Sequence, residues 1–360
     1  RSKIAGIQEH GNFAQVENGL AGKDIDLPVR EGFARHVLVG LNVFLIEMAE
    51  QFSSIFGITT QDPMLGSSGV PPLDYTRDAM LEQAASRSAA ISVTRVQNSA
   101  ESLAATVTVA NKTGHKLPSG VGFRRAFVDF RVLDSAGDTL WESGRTNADG
   151  VLTDQQNRPI TGELWWKPDC SGRAGADNPH QPHYQSISRQ DQVQIYQELV
   201  TAPPTGAAVR CGPHAAPTGA LTTSFLSICG KLKDNRLLPT GFLPLDSRIE
   251  ISHALGADAD MAEDTDPVGV GDDPDYRDGG ADTLTYRVPR ADIAGQPTAV
   301  QATLYYQAIP PFFLQDRFCT AKGVDRDRLA YMSSALKLDN TPAADWKLPM
   351  VTTGRVALPP

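Results

Sequence analysis

The sequence predicts a mainly β protein: an antiparallel β-sandwich with long loops, preceded by a short α-helical segment. Three observations carry this. Apolar residues recur at three- and four-residue spacing near the start of the chain. From about Ala90 the alternation changes to period two, in short runs separated by Gly, Pro and Asp turns rather than by helices. The 31 glycines and 25 prolines in 360 residues are high for a helical bundle.

Residues 1–30 read as loop, with Gly11, Gly19, Gly22 and Pro28. Between Glu31 and Phe56, Phe33, Val37, Leu41, Phe44, Leu45, Met48 and Phe52 follow helical spacing, and Gly57 suits the cap. A second helix fits Asp74 to Ser88, with Asp74 as N-cap. Core packing accounts for most apolar positions of both. Strands are expected at Ile91–Val96, Ala105–Val109, Phe127–Leu133, Thr139–Ser143, Gln192–Leu199, Arg248–Ser252, Thr283–Val288 and Ala299–Gln307. The turn Asp134–Asp138 makes a hairpin of the third and fourth. The stretch from Phe312 to Leu338 reverts to a helical pattern. The expected division is a helical segment over 1–89 and a sandwich over 90–360, with loop insertions at 145–220 and 255–282.

Composition narrows the function. A hydrophobic content of 41% allows a packed core, and a formal net charge of -9 disfavours a nucleic-acid partner, whose phosphates would repel the chain. No apolar run reaches the roughly 18 residues of a transmembrane segment. The opening Arg1-Ser2-Lys3, without an initiator Met, predicts a processed or truncated start. Cys170, Cys211, Cys229 and Cys319 contain no C-x-x-C, which excludes zinc ribbons and covalent haem attachment within the chain. Four cysteines in a loop-rich acidic chain favour two disulfides and an oxidising compartment. Of the three pairings, Cys170–Cys211 with Cys229–Cys319 is expected; four buried thiols is the alternative.

Among seven histidines, His36 sits on an apolar helical stretch with Gly40 one turn along, where a missing side chain lets a flat group approach the imidazole. A satisfied core histidine is the ordinary alternative. His115 lies in the Gly/Pro-framed loop Asn111–Gly120, which can fix an imidazole beyond a strand end; an ordinary turn histidine is its alternative. His180 and His183 have metal-ligand spacing without a nearby third ligand. Asp272, Asp273, Asp275 and Asp278 form an oxygen-rich, Gly-punctuated loop that suits calcium, although the spacing is not that of an EF-hand and a solvated acidic loop is the commoner outcome. There is no G-x-S-x-G, Walker loop or H-E-x-x-H, so no catalytic residues are assigned.

Several stretches together resemble the C-terminal half of large multihaem c-type cytochromes: Arg1–Phe13, Arg35–Phe44, Asn111–Gly120, Gln192–Glu198, Lys233–Gly241, Asp282–Tyr286, Leu304–Pro311 and Asp345–Leu348. The resemblance covers nearly the whole chain with gaps, and each piece alone is weakly specific. The chain departs from the family in having no C-x-x-C-H motif. The resemblance therefore implies haem c attached to another segment or chain, namely an upstream haem-bearing portion or a separate multihaem subunit; a descendant without haem is the third option. In that setting this chain would cover haems and donate axial imidazoles, His36 first, His115 second and His10 third, with Arg35, Arg124 and Arg125 against propionates. The implied function is electron transfer in the periplasm or outside the cell, with a redox partner protein. The alternative is a secreted, disulfide-stabilised β-sandwich for adhesion or ligand binding, with calcium in the acidic loop.

Overall fold

Asn42 opens the first described helix by accepting the Leu45 N–H on its side-chain oxygen at 3.1 Å. The computed structural model describes residues 39–58, 69–206 and 210–359. Helix α1 is Val43–Gln51, and a single turn, α2 (Ser53–Phe56), ends on Gly57, whose φ of 63° is the left-handed conformation a helix stop needs. The helix expected over 31–56 is thus interrupted at Phe52, and its part before Val39, with His36, lies outside the described residues. Helix α3 (Pro72–Glu82) begins two residues ahead of the expected cap, with Asp74 in its first turn. It continues as a π-helical turn to Ser88.

Among the described residues eleven strands follow: β1 Ala89–Asn98, β2 Ser102–Asn111, β3 Arg125–Leu133, β4 Thr139–Ser143, β5 Ser186–Ile187, β6 Ile195–Thr201, β7 Gly230–Asp234, β8 Ala281–Pro289, β9 Ala299–Gln307, β10 Leu348–Thr352 and β11 Val356–Ala357. One sheet has the order β1-β2-β8-β5, and the other runs β10-β9-β3-β6-β7 with β4 on β3 and β11 on β9. All pairings are antiparallel except the two-residue β5 against β8. The expected mainly β architecture is the observed one. Alternation explains β2, where Leu103, Ala105, Val107 and Val109 are buried while their neighbours are partly exposed. By contrast β3 is buried at almost every position, as a central strand covered on both faces must be. Phe130 of β3 stacks on Tyr286 of β8 at 4.0 Å, and Trp141 of β4 meets both rings edge-on, joining the two sheets.

Two expectations are corrected. Arg248–Ser252 is not a strand but part of helix α4 (Leu245–Ala254). Arg248 instead donates to the Leu243 and Ala262 carbonyls and lies over Phe242, tying α4 to the short α5 (Ala259–Glu263). The disulfides are Cys170–Cys319 and Cys211–Cys229, not the expected pairs. Cys319 is carried on α7 (Pro311–Thr320), which follows α6 (Pro274–Arg277) and precedes α8 (Val324–Ala335). The long loop over 145–190 reaches α7 by more than that bond. Gln315 accepts the Trp165 and Trp166 N–H groups at 2.7 and 3.0 Å, and Trp165 stacks on Phe312 at 4.4 Å.

Candidate functional site

The loop after β2 holds His115 from several directions. The Asn111 amide donates to the carbonyls of His115 and Leu237 at 2.8 and 3.0 Å. Leu117 and Leu237 exchange backbone hydrogen bonds, and the Lys116 ammonium meets the buried Asp234 carboxylate at 2.7 Å. Burial works to raise the Asp234 carboxyl, but Arg236 and Lys116 bring it below its ordinary value. The loop is therefore anchored to β7 by an ion pair whose carboxylate is favoured by its cations, while burial draws the Lys116 ammonium below its ordinary value against the pull of Asp234.

On this anchored loop the His115 ring is exposed. Its Nδ1 lies 3.0 Å from the Lys116 carbonyl, which only accepts, so Nδ1 carries the proton and donates. Thr113 Oγ1, at 3.2 Å, shares that side of the ring. Nε2 then bears the free lone pair and has no hydrogen-bond partner among the described residues. A metal-ligating imidazole needs this state: one nitrogen fixed as donor to a carbonyl, the other open.

His183 is in the opposite state. Its Nδ1 receives the amide N–H groups of Gln194 (3.0 Å) and Asn235 (3.1 Å). Neither amide can be reversed, because Gln194 Oε1 accepts the Tyr184 N–H and Asn235 Oδ1 accepts the Gln197 N–H. With Nδ1 an acceptor, Nε2 holds the proton and donates to Asp273 at 3.1 Å, with Asp282 Oδ1 at 3.8 Å. His183, Asp273 and Asp282 offer three ligand atoms within 4.8 Å of one another. A cation there would nevertheless have to displace a proton that two fixed amides keep on Nε2. The cluster is a proton-holding hydrogen-bond network between the sheets. Lys233 secures its loop by donating to the Gln181, Pro182 and Ile195 carbonyls.

Asp282 gives this network a pH dependence. Its Oδ2 accepts from Tyr196 and Gln194, while Oδ1 is buried without a hydrogen-bond partner. Burial lifts this carboxyl above its ordinary value, the nearby His183 opposing it. A raised carboxyl favours folding below its unfolded value near 4 and loses that contribution as pH rises through its folded value. Asp282→Asn cannot ionise, so its urea midpoint should gain on that of the parent as pH rises above about 4. Parallel curves for the two proteins would show that Asp282 does not titrate there.

The other expected site residues are dispersed. His10, His36 and Arg35 lie outside the described residues. Arg125 is buried and forms a two-pronged pair with Glu163 at 2.5 and 2.8 Å, so its guanidinium is occupied internally. Arg124 has no carboxylate within 4 Å among the described residues, and its Nε is buried and unpartnered. Its Nη1 lies 2.6 Å from where a Cβ on Gly120 would be, so that glycine, at φ +84°, leaves room for the guanidinium beneath the His115 loop. Of Asp272, Asp273, Asp275 and Asp278, the carboxyls of Asp273 and Asp275 lie against each other, and Asp273 alone belongs to a group of three close ligand atoms among the described residues. Asp273 caps α6 and faces His183, while Asp275 accepts the Thr283 N–H at 2.7 Å. His180 shares the His115 tautomer, donating from Nδ1 to the Asn178 carbonyl, but it is half-buried and lines a crevice of about 10 Å³.

No family model matches the chain, and no curated protein does. Among solved structures it is similar to a penta-heme cytochrome c552 from Thermochromatium tepidum, at 13% sequence identity and a TM-score of 0.32. That match covers 81% of this chain and 49% of the other, so the chain spans about half that protein's length. The described residues contain no helix long and apolar enough to cross a membrane.

Proposed function

We propose that this chain is an electron-transfer component: the haem-free part, or the partner subunit, of a periplasmic or extracellular multihaem cytochrome c. In this reading His115 is an axial ligand to a haem whose thioether anchors lie elsewhere. The observation that carries it is the state of the His115 imidazole, exposed on an anchored loop with Nδ1–H committed to a carbonyl and Nε2 open. A haem held there would receive a second imidazole from His115 in place of an exchangeable water, which would suit electron transfer rather than substrate binding. Arg124, beneath the loop with the Ser119 carbonyl 3.4 Å from its Nη1 and without a carboxylate partner, would be the cation offered to a propionate. The two disulfides support an oxidising compartment. The negative net charge suits a basic redox partner.

Titration with a c-type haem peptide carrying one histidine ligand and an open sixth position tests this. The intact chain should convert the peptide from high-spin to low-spin, shifting its Soret band. His115→Ala should weaken that conversion by about tenfold or more, equivalent to about 1.4 kcal/mol. His180→Ala should leave it unchanged. An unaltered titration in His115→Ala would remove His115 as a ligand and with it the main support for this reading.

A further inference from the structure

A cleft of about 740 Å³ opens beside β6 and β7, a volume in the range of small-molecule sites. Its walls include Phe123, Phe225, Ile228 and the Cys211–Cys229 disulfide, with Trp165 and Phe312 also lining it. Phe123 packs on Phe313 at 3.9 Å and lies 6.4 Å from Phe225. Phe225 is 60% exposed and continues into exposed Leu226 and Ile228, a contiguous apolar patch of the kind that marks a binding surface. Phe312 and Phe313 already carry guanidinium groups, Arg125 at 5.5 Å and Arg317 at 5.4 Å, whereas no cation sits on Phe123 or Phe225 among the described residues.

The polar end of the cleft is set by Glu198. Its carboxylate has Arg236 at 3.3 Å and Lys231 at 3.7 Å, yet neither oxygen receives a hydrogen bond among the described residues. Gly122 is what lets it reach the cleft, because a Cβ there would stand 2.5 Å from Glu198 Oε2. Lys231 is not a free cation for an incoming anion. Its ammonium is held by the Asp264 carbonyl and lies 3.3 Å from the Asp264 carboxylate. Burial raises the Glu198 carboxyl against the pull of Arg236, so a further cation at that oxygen would relieve a standing cost.

We propose that this cleft binds a small arylalkyl ammonium compound, its ring against Phe123 and Phe225 and its ammonium hydrogen-bonded to Glu198. Aromatic side chains with an open face take an aryl ring by offset or edge-on stacking, and a carboxylate short of donors completes the recognition by binding the ammonium. The assignment stands apart from the haem reading, since it uses no histidine.

Calorimetric titration with 2-phenylethylamine, and with 3-phenylpropionate as the anionic counterpart, tests the assignment. The amine should bind saturably and the carboxylate should not. Phe225→Ala, which removes an exposed ring and should leave the fold intact by near-ultraviolet circular dichroism, should weaken the amine about tenfold through loss of the ring–ring contact. Glu198→Gln should weaken it at least as much. No saturation by the amine up to about 10 mM would overturn the proposal. So would equal binding of phenylpropionate, or amine binding indifferent to Phe225→Ala.

Discussion

Glu163→Gln should lose about 3–5 kcal/mol of unfolding free energy, because it strands a buried guanidinium. Arg125 and Glu163 are each only 1% exposed, and their two hydrogen bonds are 2.5 and 2.8 Å long. Arg125 also donates from Nε to Gln307 Oε1 at 2.7 Å, and Glu163 Oε2 accepts the Leu152 N–H at 2.9 Å. The pair therefore links the central strand β3 to β9 and to the loop that follows β4. Desolvating two charges costs about as much as their attraction returns, so the intact pair adds little over an apolar isostere. Breaking it is different: the remaining charge keeps its desolvation cost and loses its partner. The expected order in denaturant midpoints is parent, then Arg125→Leu with Glu163→Leu together, then Glu163→Gln. A Glu163→Gln loss below about 1 kcal/mol would mean that water reaches the guanidinium.

Much of the sandwich is legible because half-buried strands alternate. Ala105–Val109 and Ala299–Gln307 are recognisable from period two, and the Asp134–Asp138 turn from its Gly and Asp content. Arg248–Ser252 shows where this fails: five alternating residues fit a helix equally well when Arg248 finds carbonyls to bind. Strands β5 and β11 have two residues each, too few for any period to register. The site divides in the same way. The Gly/Pro framing of the His115 loop is local, and so it shows in the sequence. The state of His183 is not local. It depends on Gln194 and Asn235, which are 11 and 52 residues away, and on Asp273, 90 residues away. Spacing pairs His183 with His180, whereas the structure turns His180 toward Asn178 and His183 toward the carboxylates. Glu163 carries no signal at all, since a glutamate in a long loop looks solvated until its arginine is found.

The two disulfides should differ in what their removal costs. Cys170 and Cys319 are separated by 149 residues, and Cys211 and Cys229 by 18. A cross-link lowers the entropy of the unfolded chain in proportion to the logarithm of the loop it closes, about 5 kcal/mol for the longer and about 3 kcal/mol for the shorter. Replacing Cys170 and Cys319 by Ser should therefore lower stability by about 2 kcal/mol more than replacing Cys211 and Cys229. Native contacts near Cys319 push in the other direction: Gln315 and the Trp165–Phe312 stack would still hold the loop to α7. They act on the folded state, however, and leave the freedom of the unfolded chain untouched. The shorter bridge is likewise spanned by native contacts, the Gly212 N–H donating to the Cys229 carbonyl at 3.1 Å, and it forms part of the cleft wall. Its loss should consequently weaken 2-phenylethylamine binding, while loss of the longer bridge should leave that affinity unchanged under conditions where both variants are folded. Unfolding midpoints and calorimetric titrations on the same two variants check both statements, and equal midpoints would show that the unfolded chain already keeps the ends of the long loop together.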